Sequence, residues 1–294
     1  MRNFFFISIL LSLFTSCNDG DIIVTDFNFE ASNLNNCGAP GAYIFYNINN
    51  SSSAESISLI LETSDVLFLE SGTKQYVLNG TTYVVNYRKY NDDITDAYFC
   101  SNIPPTTPNV TIEYLGASGV AILTTMTTKD DEDGITEDST SDLDSDNDGL
   151  LNYFDNDDDG DNVPTVNELG VEFLAGNNEF PLDTDNDGIY DYLDIDDDGD
   201  TILTRYEDAN GDLDPTNDFT DTNSDPDYLN AIITNSNIID QYRIHSYQLT
   251  SNIELVINDL VLVNGSEEIT QETMILGNKS AVINGTVSVT PEFN

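Results

Sequence analysis

Hydrophobic residues in this chain fall in short alternating runs towards both ends and are thinly scattered through the middle. On the N-terminal side, residues 22–24, 42–46, 56–61, 81–87, 110–114 and 120–125 are rich in β-branched and aromatic side chains, and Asn, Gly, Ser and Pro clusters separate them. That texture predicts strands joined by turns. Residues 56–59 and 111–114 alternate with period two, as a strand with one face against a core should. No strong helical periodicity is present. The reading is mainly β, with a β-sandwich-like or Greek-key domain over residues 21–128.

Residues 242–250, 253–257, 260–263 and 273–289 resume the strand texture, and Asn264-Gly265 and Asn284-Gly285 are hairpin dipeptides. A C-terminal segment over 240–294 is small for a core of its own. A separate or docked small sheet is favoured; adding strands to the first domain is the alternative.

Between these ends an acidic pattern occurs twice, 39 residues apart: LDSDNDGLLNYFDNDDDGDNVPTVNE at 143–168 and LDTDNDGIYDYLDIDDDGDTILTRYE at 182–207. Each reads as two consecutive twelve-residue calcium loops. Calcium takes six to eight oxygens at roughly 2.3–2.6 Å, and loop positions 1, 3, 5, 7 (a backbone carbonyl), 9 and 12 supply them. The first loop offers Asp144, Asp146, Asp148, the Leu150 carbonyl, Asn152 and Asp155. The second offers Asp157, Asp159, Asp161, the Val163 carbonyl, Thr165 and Glu168. The duplicate repeats the scheme with Asp183, Asp185, Asp187, the Ile189 carbonyl, Asp191 and Asp194. It continues with Asp196, Asp198, Asp200, the Ile202 carbonyl, Thr204 and Glu207. Asn162 and Thr201 stand where glycine is expected at position 6. Asn tolerates the left-handed backbone there better than most residues, which leaves Thr201 the weaker point.

Four loops in register favour several Ca2+ ions over a merely solvated acidic linker. Magnesium prefers a smaller octahedral shell, and zinc would want Cys or His, which the stretch lacks. Partial copies flank the repeats. Asp131, Asp133, Gly134 and Glu137 lie upstream, and Asp208, Asn210, Asp212 and the Asp214 carbonyl lead to a non-ligating Phe219 downstream. Residues 221–230 read as a shortened copy of 183–194.

Charge sharpens this picture. The chain carries 54 acidic and 8 basic residues, a formal charge of −46. Of the acids, 35 lie between Asp130 and Asp227, where Arg205 is the only basic residue. Without counter-ions such a stretch repels itself. Bound calcium would cancel much of that charge. Nucleic acid is a poor partner for this surface.

The N-terminus reads as an export signal: a short positive start, then an apolar run over residues 4–14 that is too short to span a bilayer. It ends in Leu13-Phe14-Thr15-Ser16-Cys17, which resembles a bacterial lipobox. The resemblance implies a lipoprotein signal over residues 1–17 with Cys17 acylated, anchoring the chain to a membrane; an ordinary secretory signal is the alternative. Asn18-Asp19-Gly20-Asp21 resembles the acidic tag of surface-exposed outer-membrane lipoproteins. Cys37 and Cys100 remain, and an even pair in an exported protein favours a disulfide over two free thiols.

The duplicated stretch, DSDNDG and DTDNDG with their NYFD and DYLD tails, resembles the thrombospondin type 3 repeat of bacterial surface proteins. About 90 residues, taken as 129–230, carry that resemblance. It implies repeats that wrap around calcium ions in place of an ordinary core and serve as spacer or docking surface. Asn162, Thr201 and Phe219 depart from its pattern.

Catalytic signatures are missing. His245 is the only histidine, placed by its run on a strand, and no nucleophile elbow, zinc-protease helix or phosphate loop occurs. The expectation is a non-enzymatic, calcium-binding, cell-surface lipoprotein of the outer membrane, structural, adhesive or complex-docking, whose partner is another envelope protein. The alternative is a surface glycan-binding module with an exposed aromatic platform.

Overall fold

A computed structural model describes residues 27, 29–51, 53–136, 139–222 and 225–293. Cys17, the signal-like segment and the run at 22–24 lie outside them. The chain is mainly β. Its strands are β1 (Asn35–Ala39), β2 (Ala42–Asn49), β3 (Glu55–Leu61), β4 (Gly72–Val77), β5 (Tyr83–Tyr90), β6 (Val110–Asp130), β7 (His245–Asn264) and β8 (Glu267–Val289). They form a single sheet in the order β1-β2-β3-β5-β6-β7-β8, with β4 also paired to β6. The expected sandwich is thus met as a mainly β architecture, but the strand order is that of one sheet.

Two compact units divide the chain. The first comprises Met1–Val66, Thr73–Leu123 and Glu254–Asn278; the second comprises Leu67–Gly72, Thr124–Ile253 and Lys279–Asn294. The C-terminal strands β7 and β8 lie in the same sheet as the N-terminal ones. β7 hydrogen-bonds to β6, and residues 254–278 belong to the first unit. Two strands alone could not have enclosed a core.

In the first unit, Phe45, Ile57, Leu59, Leu61, Val85, Leu123, Leu255, Ile257 and Leu276 are fully buried. Each such side chain stabilises by roughly 1.5–3 kcal/mol. The alternation in β3 puts Ile57, Leu59 and Leu61 on one face and Ser56 and Ser58 on the other, yet both faces are buried. On the polar face Ser56 Oγ lies 3.0 Å from the Tyr90 hydroxyl, and at the end of the apolar face Tyr87 donates to Glu55 at 2.6 Å. Cys37 on β1 is disulfide-bonded to Cys100 on α1 (Ala97–Cys100), with a Cα–Cα distance of 5.8 Å.

Pattern breaks inside the long strands are kinks, not ends. The gap at 115–119 is spanned by β6, where Gly119 (φ 140°) lets the backbone approach Asn258 and Leu260 closely. The gap at 258–259 is a local reversal at Asp259 (φ 51°) within β7. Gly265 (φ 60°) forms the β7–β8 turn as its dipeptide predicts. Asn284-Gly285 does not form a hairpin; it runs through β8 as strand. β1 and β4 went unpredicted because their polar residues give no alternation.

Candidate metal centre

The acidic loops belong to the second unit, whose buried apolar residues include Phe154, Val163, Leu169, Tyr228, Leu249 and Ile253. Every loop is built by one local device: an Asp Oδ1 accepts the backbone N–H two residues on. Asp146 and Asp148 hold the amides of Asp148 (3.0 Å) and Leu150 (2.7 Å). Asp159 and Asp161 hold those of Asp161 (3.3 Å) and Val163 (2.7 Å). In the duplicate, Asp185, Asp187, Asp198 and Asp200 hold Asp187, Ile189, Asp200 and Ile202 in the same way. This is the turn that Asp favours over helix or strand. One oxygen of each carboxylate is spent on the fold. The Oδ2 atoms of Asp146, Asp148, Asp159, Asp161, Asp198 and Asp200 are buried without a hydrogen-bond partner.

Carboxylate oxygens of these loops converge. One from each of Asp144, Asp146 and Asp148 lies within 4.8 Å of the others, and likewise for Asp183, Asp185 and Asp187, and for Asp196, Asp198 and Asp200. The most enclosed group is Asp159, Asp161, Glu168 and Asp197, each no more than 5 % exposed and mutually within the same 4.8 Å. α2 (Thr165–Glu168) swings Glu168 back onto the loop. Both oxygens of Glu168 and of Asp197 lack hydrogen-bond partners. Buried like charges without partners are costly. These groups can hold metal ions.

Position 9 side chains make hydrogen bonds within their loops. Asn152 accepts the Ser145 N–H at 3.0 Å and donates to the Ser145 hydroxyl, and Asp191 likewise accepts from the Thr184 amide and hydroxyl, both at 2.7 Å. The Thr165 and Thr204 hydroxyls accept the amides of Asp158 and Asp197, both at 3.2 Å. These four side chains brace loop backbone. Asp227 braces Thr220 through its amide (2.6 Å) and hydroxyl (2.8 Å), so residues 221–230 keep the same clamp. Upstream, Asp131 and Asp133 hold the amides of Asp133 and Ile135 in the same turns; Glu137 lies outside the described residues.

Position 6 is left-handed in both second loops, with Asn162 at φ 76° and Thr201 at φ 83°. Asp157 and Asp196 pin those residues by accepting their amides at 3.1 and 3.0 Å. Asn162 has a further task. Its side chain donates to the Gln241 carbonyl at 3.0 Å and accepts the Arg243 amide at 2.8 Å.

Two functional side chains escaped the sequence reading. Asp197 sits at an even loop position, outside the odd-numbered ligand scheme, though its duplication at Asp158 was visible. His245 is fully buried at the start of β7, with Nδ1 2.6 Å from Asp155 Oδ1 and 3.6 Å from Asp148 Oδ2, and Nε2 3.6 Å from Asp157 Oδ2. No local signal links a histidine to loops some 90 residues earlier. The strand histidine is enclosed by carboxylates.

Burial dominates the electrostatics. It pushes Asp146 up to about 7 and Asp148 to about 6, against the amides each accepts and with neighbouring Asp charges adding to the rise. Asp197 is pushed up to about 11 by burial and then by Asp161, and Glu207 to about 9 by burial and then by Asp198 and Asp200. Asp159, Asp161 and Glu168 rise well above the carboxylate range for the same reason. For His245, burial works against the charged ring, but the Asp155 contact and the charges of Asp155, Asp157 and Asp148 raise its pKa overall.

Comparison with family models, curated proteins and solved structures finds no match for this chain.

Proposed function

We propose that the second unit is a calcium-binding module whose fold is completed by several Ca2+ ions, in a lipid-anchored surface protein with a structural or docking role. The observation that carries the metal reading is the enclosed quartet of Asp159, Asp161, Glu168 and Asp197, with Asp197 coming from the next repeat. An all-oxygen set of carboxylates, with Asp159 and Asp161 holding backbone amides and Glu168 on a short helix, suits a hard cation of flexible geometry. A stretch that would repel itself then gains stability from the ions it binds. The resemblance to thrombospondin type 3 repeats supports calcium over magnesium. The lipobox-like Cys17 and its acidic tag support anchoring at the outer membrane.

The acidic loops do not stand alone as a spacer. Within their unit, Asn156 accepts the Ser246 amide at 3.1 Å, and Lys129 on β6 lies 4.3 Å from the Phe154 ring centroid. That docking favours a folded recognition module over a simple rod, with another envelope protein as its partner. The glycan-binding alternative has one supporting observation: the rings of Phe180, Tyr190 and Tyr192 stack in series at 6.5 and 6.2 Å, with Phe180 exposed.

Isothermal titration of the full chain with CaCl2 tests the metal reading. More than one equivalent should bind, and D161N together with E168Q should remove an equivalent. A flat titration from micromolar to millimolar calcium refutes it.

A further inference from the structure

His245 breaks the symmetry between the two copies of the acidic pattern. The duplicate loop of Asp183, Asp185, Asp187 and Asp194 has no histidine to receive, because the chain contains only one. In the first copy the imidazole reaches the carboxylates of positions 5 and 12. Its side chain is 0 % exposed, and neither ring nitrogen has an aligned hydrogen-bond partner despite the short contact to Asp155. Asp148 Oδ2 is equally buried and unpartnered. One ligand atom from each of Asp148, Asp155 and His245 lies within 4.8 Å of the others.

We infer that Asp148, Asp155 and His245 form a site for a first-row divalent transition ion such as zinc, which differs from the all-oxygen clusters in its nitrogen ligand and shares Asp148 with one of them. Calcium draws its ligands from oxygen, so an imidazole nitrogen is wasted on it. Neutral imidazole with two carboxylates is a donor set for zinc and its neighbours. Behind the ring, Nε2 faces Asp157 Oδ2 at 3.6 Å, and that oxygen is itself fixed by the Asn162 amide at 3.1 Å. A carboxylate on the far nitrogen of a ligating histidine orients the ring and raises its basicity. β7 thus delivers a nitrogen ligand to a loop whose own residues supply only oxygens.

The test uses the full chain saturated with calcium and titrated with ZnCl2. One zinc equivalent should bind, displacing the calcium of the loop that shares Asp148 with it. H245Q should weaken it by at least about 100-fold, the upper range for losing a mere outer-sphere partner, while D187N in the duplicate should leave zinc affinity unchanged. Because the chain has a single imidazole, its two 15N resonances report directly: zinc added to the calcium-loaded chain should shift them. An unchanged calcium stoichiometry shows that H245Q is folded, and the resonance arm needs no variant. Three results overturn the inference: no zinc uptake by the calcium-loaded chain, uptake with unmoved imidazole nitrogens, or wild-type zinc affinity in H245Q. Calcium titration is read separately, so failure of the all-oxygen sites is distinguishable from failure of this one.

Discussion

Glu168 and Asp197 bring carboxylate oxygens within 4.8 Å of each other although they come from different copies of the acidic pattern. Their approach, with Asp159 and Asp161, turns two sequence repeats into one structural group. Removing charge there should have opposite effects with and without calcium. E168Q and D197N should each raise the melting temperature in chelator, because a buried repulsion is relieved, and lower it in saturating calcium. Differential scanning calorimetry in both conditions checks this, and parallel shifts would count against an ion between the repeats.

Asp191 provides a test of the position-9 assignment. Its carboxylate braces Thr184, and the corresponding residue in the first copy is an Asn that makes the same brace. D191N should therefore keep the calcium stoichiometry. D191A should cost about 1–3 kcal/mol in denaturant unfolding, the penalty for stranding buried partners. Loss of a calcium equivalent in D191N would return the residue to the ligand set.

The two loops of each copy touch through a glycine. A Cβ at Gly160 (φ 73°) would collide with the Asp146 carboxylate and lie 2.9 Å from the Tyr242 ring, and one at Gly199 would meet Asp185. Gly149 is also left-handed, but it faces open space. G160A should combine a backbone cost of about 1–2 kcal/mol with an overpacking cost of about 1–3 kcal/mol. G149A should show only the first. Urea unfolding in calcium separates the two variants, and equal losses would remove the loop–loop contact from the account.

Acidity should act in opposite directions on the two forms. Asp146, Asp148 and Glu207 have folded pKa values raised to about 7, 6 and 9, above unfolded values near 4. Each binds its proton more tightly when folded. Its contribution is therefore fully present below about pH 4 and is lost as pH rises through the folded value. Without calcium, the melting temperature should fall from pH 5 to pH 9. With calcium it should rise over the lower part of that range, since the ions need deprotonated ligands. The same slope in both conditions would contradict the assignment.

Much of the strand content was legible because alternation and β-branched runs in β2, β3, β5 and β7 report burial directly. The loops were legible for a different reason: the spacing of Asp around Gly149 and Gly188 encodes a turn that each Asp closes on its own neighbour's amide. Contacts distant in sequence were not legible. Nothing near His245 announces Asp155, and nothing near Asn162 announces Arg243, because each contact joins residues some 80 to 90 positions apart. The spurious hairpin at Asn284-Gly285 has the same origin. A turn dipeptide supplies freedom to reverse, but β8 stays extended there.

Amide hydrogen exchange on the full chain, with calcium and with chelator, tests the central claim most directly. Open loops exchange with little protection, and ions that complete them should confer it. Calcium should slow exchange across residues 144–207 by at least about tenfold while leaving residues 55–61 of β3 unchanged. Identical protection of residues 144–207 in calcium and in chelator would contradict the account.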